Sequence, residues 1–305
     1  MAAPHPTASA PAPWQAEAQL RFSLRNGITR HQGGASAPLK LQRAFSQVSG
    51  HCELPLLHTA GGLVGGDALR ISAQLEPGSR ALLTSVAAQK VYGSVGRSRC
   101  APSGRWARQA LQFELEPGSD LEWLPQELVL YADALFEQTT RVELAADASF
   151  LTADVVRLGR TAAGEELGQG RWRSSLEIRR QAEPEPRWEL VDRLELGAEA
   201  LGGEHGLAGE AVFGSLVWAA PMRLPDTAMA ELLQKMRRAR SGLAGTMACG
   251  ALEQGLVARY RGPSCQAARY WFSRIWALLR EARQQQPPQL PRVWPFQEDP
   301  FHCSE

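Results

Sequence analysis

The sequence predicts a mainly β fold of the β-rich α+β class, and three observations predict it. From about Gln19 to Leu196 apolar and polar residues alternate, which sends one set of side chains to each face of a strand. A strand, tight turn, strand sequence recurs inside that region. The C-terminal third then changes to the 3.6-residue period of amphipathic helices. Composition agrees with a folded chain: 44% of the 305 residues are hydrophobic, and 28 Gly with 20 Pro stay below the level of low-complexity sequence.

Met1 to Pro13 holds four prolines and little to bury. Residues 1–18 are therefore expected to be a disordered leader, followed by one domain over 19–294 and a flexible tail over 295–305. The leader lacks the basic and apolar regions of a secretory signal, and no run approaches the ~20 apolar residues of a membrane helix. A cytoplasmic protein is expected, without membrane association.

Within the domain, Leu69 to Leu75 alternates as a strand, as do Leu111, Phe113 and Leu115, then Leu176 and Ile178, then Leu194 and Leu196. The recurring segment is LEPGSRALL from Leu75, LEPGSDLEW from Leu115, and a decayed copy, LAADASFL, from Leu144. Pro77 and Pro117 preset φ at the second turn position, and Gly78 and Gly118 accept positive φ at the third, as a type II turn requires. The copies read either as an internal repeat or as ordinary hairpin punctuation.

Asp226 or Thr227 can cap a helix with Met229, Leu232, Leu233 and Met236 on one face. Arg237, Arg238 and Arg240 favour its negative end, and Gly242 can terminate it. Gly245 to Arg261 reads as a hairpin turning near Gln254-Gly255. Ser264 opens a second helix striped by Ala268, Phe272, Ile275 and Leu279 and widened by Trp271 and Leu278, until Pro287-Pro288 forbids continuation. Trp271 and Trp276 are candidates for partner contact, with core packing as the competing reading.

Several chemistries are disfavoured. Lys+Arg 33 against Asp+Glu 32 leaves +1, so no overall field recruits nucleic acid or anionic membrane. Five Cys without a C-x-x-C pair suggest reduced thiols rather than a zinc knuckle. Six His in no triad-like context, and no G-x-S-x-G, leave nucleophilic catalysis unsupported. The dipeptides His51-Cys52 and His302-Cys303 hold soft-metal ligands that would point to opposite faces of a strand.

The glycine-rich segment TAGGLVGGD, Thr59 to Asp67, is no phosphate loop, because it leads into a strand rather than a helix. It reads as a bend where two backbones approach closely, which leaves Asp67 unexplained. Asp154, Asp192 and Glu127 also interrupt apolar runs, and an ionised carboxylate in a core needs a partner. Each alone is explained by an outward orientation or by a local base such as Arg193, Arg160 or Lys90. Together they ask for a common reason.

In these motifs the chain resembles the UreD (UreH) family of urease accessory proteins. The matching segments are Leu57 to Asp67, Lys90 to Tyr92, Leu121 to Glu127, Asp154 to Arg160, Leu190 to Leu196, Ile275 to Arg280 and Pro291 to Trp294, in family order. Two positions depart from it: the segment Thr84 to Lys90, and Gly93, where an Arg normally follows the Tyr. The resemblance implies a single domain of twisted sheets arranged like a helix of strands, with two C-terminal helices. It implies a non-enzymatic factor that helps insert nickel into apo-urease, in a complex with UreF and the GTPase UreG. No tightly bound cofactor is implied, only nickel in transit. Asp67, Asp154 and Asp192 are carried over as the acids lining a nickel passage, and Glu127 is added as a fourth. Oxygen ligands suit an ion that must be held and then released, whereas a Cys/His cage would trap it. The alternative from another class is a carboxylate-based, glycosidase-like hydrolase, which needs two acids facing one open cleft.

Overall fold

The computed structural model describes residues 12–296 and 298–301. Strand β1 (Gln15–Arg25) turns into antiparallel β2 (Ile28–Ala35), and the short β3 (Leu39–Leu41) and β4 (Phe45–Ser46) pair with β5 (Cys52–His58). From β6 (Ala68–Leu75) the chain winds in coils. It runs through β7 (Arg80–Ser85) and β8 (Gln89–Val91), then β9 (Ala107–Leu115), β10 (Asp120–Trp123) and β11 (Leu128–Leu130), then β12 (Leu135–Leu144) and β13 (Ser149–Leu158). Strands β6, β9 and β12 pair in parallel in one sheet, and β7, β10 and β13 in parallel in the other. Strands β8 and β11 pair in parallel along the return arcs.

The recurring sequence occupies the same corner of successive coils. Glu116 N–H donates to the Leu75 carbonyl at 3.0 Å and Ala145 N–H to that of Leu115 at 2.8 Å, so each copy stacks on the last. Gly78 and Gly118 have φ of 69° and 67°, the left-handed conformation their turns require. The strands flanking each copy lie in different sheets, which makes the recurrence a coil repeat and not hairpin punctuation.

Beyond the coils come β14 (Arg171–Arg180), β15 (Arg187–Leu196), α1 (Ala198–Gly202), β16 (Val212–Ala219), α2 (Asp226–Arg238), the hairpin β17 (Thr246–Leu252) and β18 (Gly255–Gly262), and α3 (Cys265–Ala282). The seven-stranded sheet runs β15-β14-β12-β9-β6-β1-β2, and the main path of the eleven-stranded sheet runs β17-β18-β16-β13-β10-β7-β5-β3. One core fills the space between the sheets, with Phe22, Phe113, Phe136, Phe150 and Trp172 buried in it. A second lies between the eleven-stranded sheet and the helices, around Trp218, Trp271, Ile275 and Trp276. The alternation along each strand divides its side chains between these environments.

Buried charge seats α3. Glu122 on β10 accepts from Trp276 Nε1 at 2.8 Å and from Arg280 Nε and Nη2 at 2.9 and 2.5 Å, all buried. Its neighbour Asp120 accepts from Arg283 at 2.6 Å and meets His51 Nε2 at 3.2 Å. Burial alone would raise the Asp120 pKa, but the Arg283 charge and the His51 hydrogen bond hold it well below the ordinary value.

Four expectations are corrected. Strand β1 opens at Gln15, inside the stretch read as leader, with Ala16 and Ala18 buried; alanines bury little area and the alternation they carry is faint. Residues 1–11 lie outside the described set, as do 302–305 with His302-Cys303. Described tail residues pack on α3: Phe296 meets Tyr270 edge-on with ring centroids 5.3 Å apart, and Arg274 Nε donates to the Pro300 carbonyl at 2.9 Å. Helix α2 begins at Asp226 itself after Pro225, with no side-chain cap, and ends at Arg238, short of Gly242. Trp271 and Trp276 are 0% and 1% exposed and donate to the Met236 carbonyl and Glu122, so they are core residues and present no docking surface. Ser264 does cap α3, accepting from Ala267 N–H at 3.1 Å.

Candidate functional site

A cavity of about 330 Å³ opens between the sheets, where the inward alternation turns polar. On β12 the inward series is Phe136, Gln138, Thr140, Val142 and Leu144, with Phe136, Val142 and Leu144 in the core. Parallel pairing sets Gln138 beside Gln109 of β9 and Ser174 of β14. Opposite, the inward series of β13 is Phe150, Thr152, Asp154 and Val156. Antiparallel pairing sets Asp154 beside Ser215 of β16, and Ser215 beside Arg259 of β18. A polar row thus crosses an apolar core.

Asp154 lines the cavity and accepts from Gln138 Nε2 at 3.1 Å across the sheets. Burial pushes its pKa from the ordinary 3.8 to about 6, against the Gln138 hydrogen bond and the Arg259 charge, while Asp192 adds to the rise. Asp192 lies farther along the row toward the outside: its Oδ2 accepts from Arg259 at 2.5 Å, and Arg259 also donates to Ser215. The Asp192 and Arg259 side chains are 19% and 31% exposed, so the row reaches solvent at the edge between β15 and β18. Asp154 and Asp192 therefore belong to one polar stretch.

The other two acids stand apart. Asp67 is 1% exposed, and its two oxygens accept from Trp14 N–H at 2.8 Å and Val64 N–H at 2.9 Å. It ties the glycine bend to the start of β1 and does not line the cavity. A Cβ on Gly62 would meet the Tyr92 ring at 2.6 Å and the Lys90 carbonyl at 3.0 Å, which explains the glycine requirement. Glu127 pairs with Arg269 of α3 at 3.0 Å, outside the cavity; its neighbour Gln126 lines it instead. Among the described residues only one carboxylate faces this cavity, so the two-acid arrangement of a glycosidase is not assembled in it.

Sequence reasoning misses His58, Gln109, Gln126 and Gln138, all of which line the cavity. A parity test finds Gln138, a polar residue in the inward register of a strand. His58, at the end of β5, has Nδ1 3.5 Å from Gln89 Nε2. Its Nε2 is buried without a hydrogen-bond partner among the described residues. Burial favours the neutral imidazole and pushes its pKa below the ordinary value, opposed by the Asp67 charge. Among the described residues, no three His, Cys, Asp or Glu side chains converge to hold a metal ion.

Comparison with known proteins gives one consistent result. The family model described as UreD urease accessory protein matches residues 15–295. Urease accessory protein UreD of Parasynechococcus marenigrum (strain WH8102) is 62% identical over 289 residues, covering 95% of this chain and 93% of that protein. The protein of the same description from Prochlorococcus marinus (strain MIT 9313) is 56% identical over 300 residues, covering 96% and 94%.

Proposed function

This chain belongs to the UreD family of urease accessory proteins and so serves urease maturation, and we propose that it does so by conducting nickel through the polar row between its sheets. In this reading the protein is a non-enzymatic, cytoplasmic assembly factor. It acts with UreF and UreG on apo-urease and holds nickel only in transit. The observation that carries the reading is the row itself. Gln109, Gln138, Asp154, Ser215, Arg259 and Asp192 run through a largely apolar interior and end at the solvent edge.

Asp154 supplies the anionic oxygen and the carboxamides supply neutral ones, a donor set that partly replaces the hydration of a divalent ion without caging it. The Arg259–Asp192 pair stands where an ion would leave or enter. Its cation alone would oppose passage, and its carboxylate offsets that charge. Asp67 contributes by shaping the bend that follows His58. The reading is tested by reconstituted urease activation with Asp154→Ala and Asp192→Ala. Both should fold and join the complex while lowering urease nickel content. Full nickel loading by both variants would remove the passage.

A further inference from the structure

We propose that His58 supplies the nitrogen donor by which the passage selects nickel over hard divalent cations; this rests on the passage reading. The other side-chain donors lining the cavity are oxygens, those of Asp154, Ser85 and the carboxamides of Gln89, Gln109, Gln126 and Gln138, and the exposed Lys90 is the one cation among the lining residues. Carboxylate and carbonyl oxygens suit magnesium, calcium and manganese at least as well as nickel. An oxygen-lined passage would be occupied by the abundant cations. Imidazole nitrogen shifts the preference toward nickel.

Among the described residues His58 is the only imidazole lining this cavity, and its buried Nε2 has its lone pair or proton unmatched by any of them. A buried ring nitrogen without a partner is unfavourable in the empty protein, and its retention calls for a function. The other ring nitrogen, Nδ1, accepts from the Gln89 amide Nε2 at 3.5 Å, which places the ring proton on the unpartnered Nε2; nickel takes Nε2 once that proton is released to solvent and the ring has turned the buried atom toward the cavity. Asp154 supplies the charge on the same cavity. Two protein donors, with carboxamides and water completing the shell, are fewer than the three or four of a resident site, in keeping with the lack of a three-residue metal cluster among the described residues. Such a position holds nickel briefly and passes it on.

The test uses the chain in its complex with partner proteins, nickel as the probe and magnesium as competitor. X-ray absorption of bound nickel should show an imidazole contribution in the unsubstituted protein that is lost in His58→Gln. That variant keeps a polar group of similar reach and should fold normally. In reconstituted activation with excess magnesium, His58→Gln should lose about ten-fold or more of its nickel delivery, and recover when magnesium is withdrawn. An unchanged nickel spectrum, or equal sensitivity to magnesium in both proteins, overturns the role of His58. If Asp154→Ala fails in delivery while His58→Gln does not, the passage stands and the His58 assignment falls. If neither variant has any effect, both fall.

Discussion

Replacing Asp154 with Asn separates a stability effect from a transport effect. The carboxylate lines the interior cavity, accepts a hydrogen bond from Gln138, and has its pKa moved by burial from 3.8 to about 6. That rise corresponds to about 3 kcal/mol of destabilisation of the ionised form, at about 1.4 kcal/mol per pH unit. The folded protein keeps this proton up to about pH 6, whereas the unfolded chain releases it near 3.8. Between those values the native state binds more protons, so stability falls as pH rises, and the full penalty is present above about pH 7. Asn retains an oxygen for Gln138 and carries no charge. Asp154→Asn should therefore be more stable by about 3 kcal/mol at pH 7.5 and by about 1.5 kcal/mol at pH 5. For 305 residues the larger gain is about 5 °C in melting temperature. Chemical denaturation of the complexed or isolated chain at the two pH values reads the effect. A variant no more stable than its parent at pH 7.5, or equally stabilised at both, would refute the argument that an uncompensated charge is being held inside this fold. Transport should move the opposite way, with nickel delivery reduced in the more stable protein.

The remaining predictions concern the supports of the site. Glu122→Ala should destabilise the fold by about 3–5 kcal/mol in urea titration, because Arg280 would be left buried and uncompensated. Glu122→Leu combined with Arg280→Met should recover most of that loss. Asp67→Asn places an amide N–H against either the Trp14 or the Val64 N–H, and should cost about 1–3 kcal/mol, seen as faster hydrogen exchange at the start of β1. Gly62→Ala should displace Tyr92 and lower the melting temperature by several degrees. The same change at Gly61, where a Cβ would meet nothing within 4 Å but φ is 76°, should cost only the roughly 1 kcal/mol of its strained backbone.

Local pattern picks out the clearest strands, the two long helices and the tight turns, and misses the faint start of β1. These depend on residues close together in the chain: the alternation of Leu111, Phe113 and Leu115, the Pro-Gly turns, and the Ser264 cap. The same pattern marks Asp154 and Asp192 as acids needing a reason. It leaves the reason for each open, because their partners are distant along the chain. Arg259 reaches Asp192 across 67 residues and Arg269 reaches Glu127 across 142. Glu122, which in the sequence is only one residue of a motif, seats α3 through an arginine 158 residues away. Parallel pairing between coils sets Gln109, Gln138 and Ser174 side by side, and the packing of one sheet on the other brings Asp154 and His58 to the same cavity. Local preferences act through a few neighbouring residues, whereas a buried charge is resolved only by whatever the closed fold sets against it.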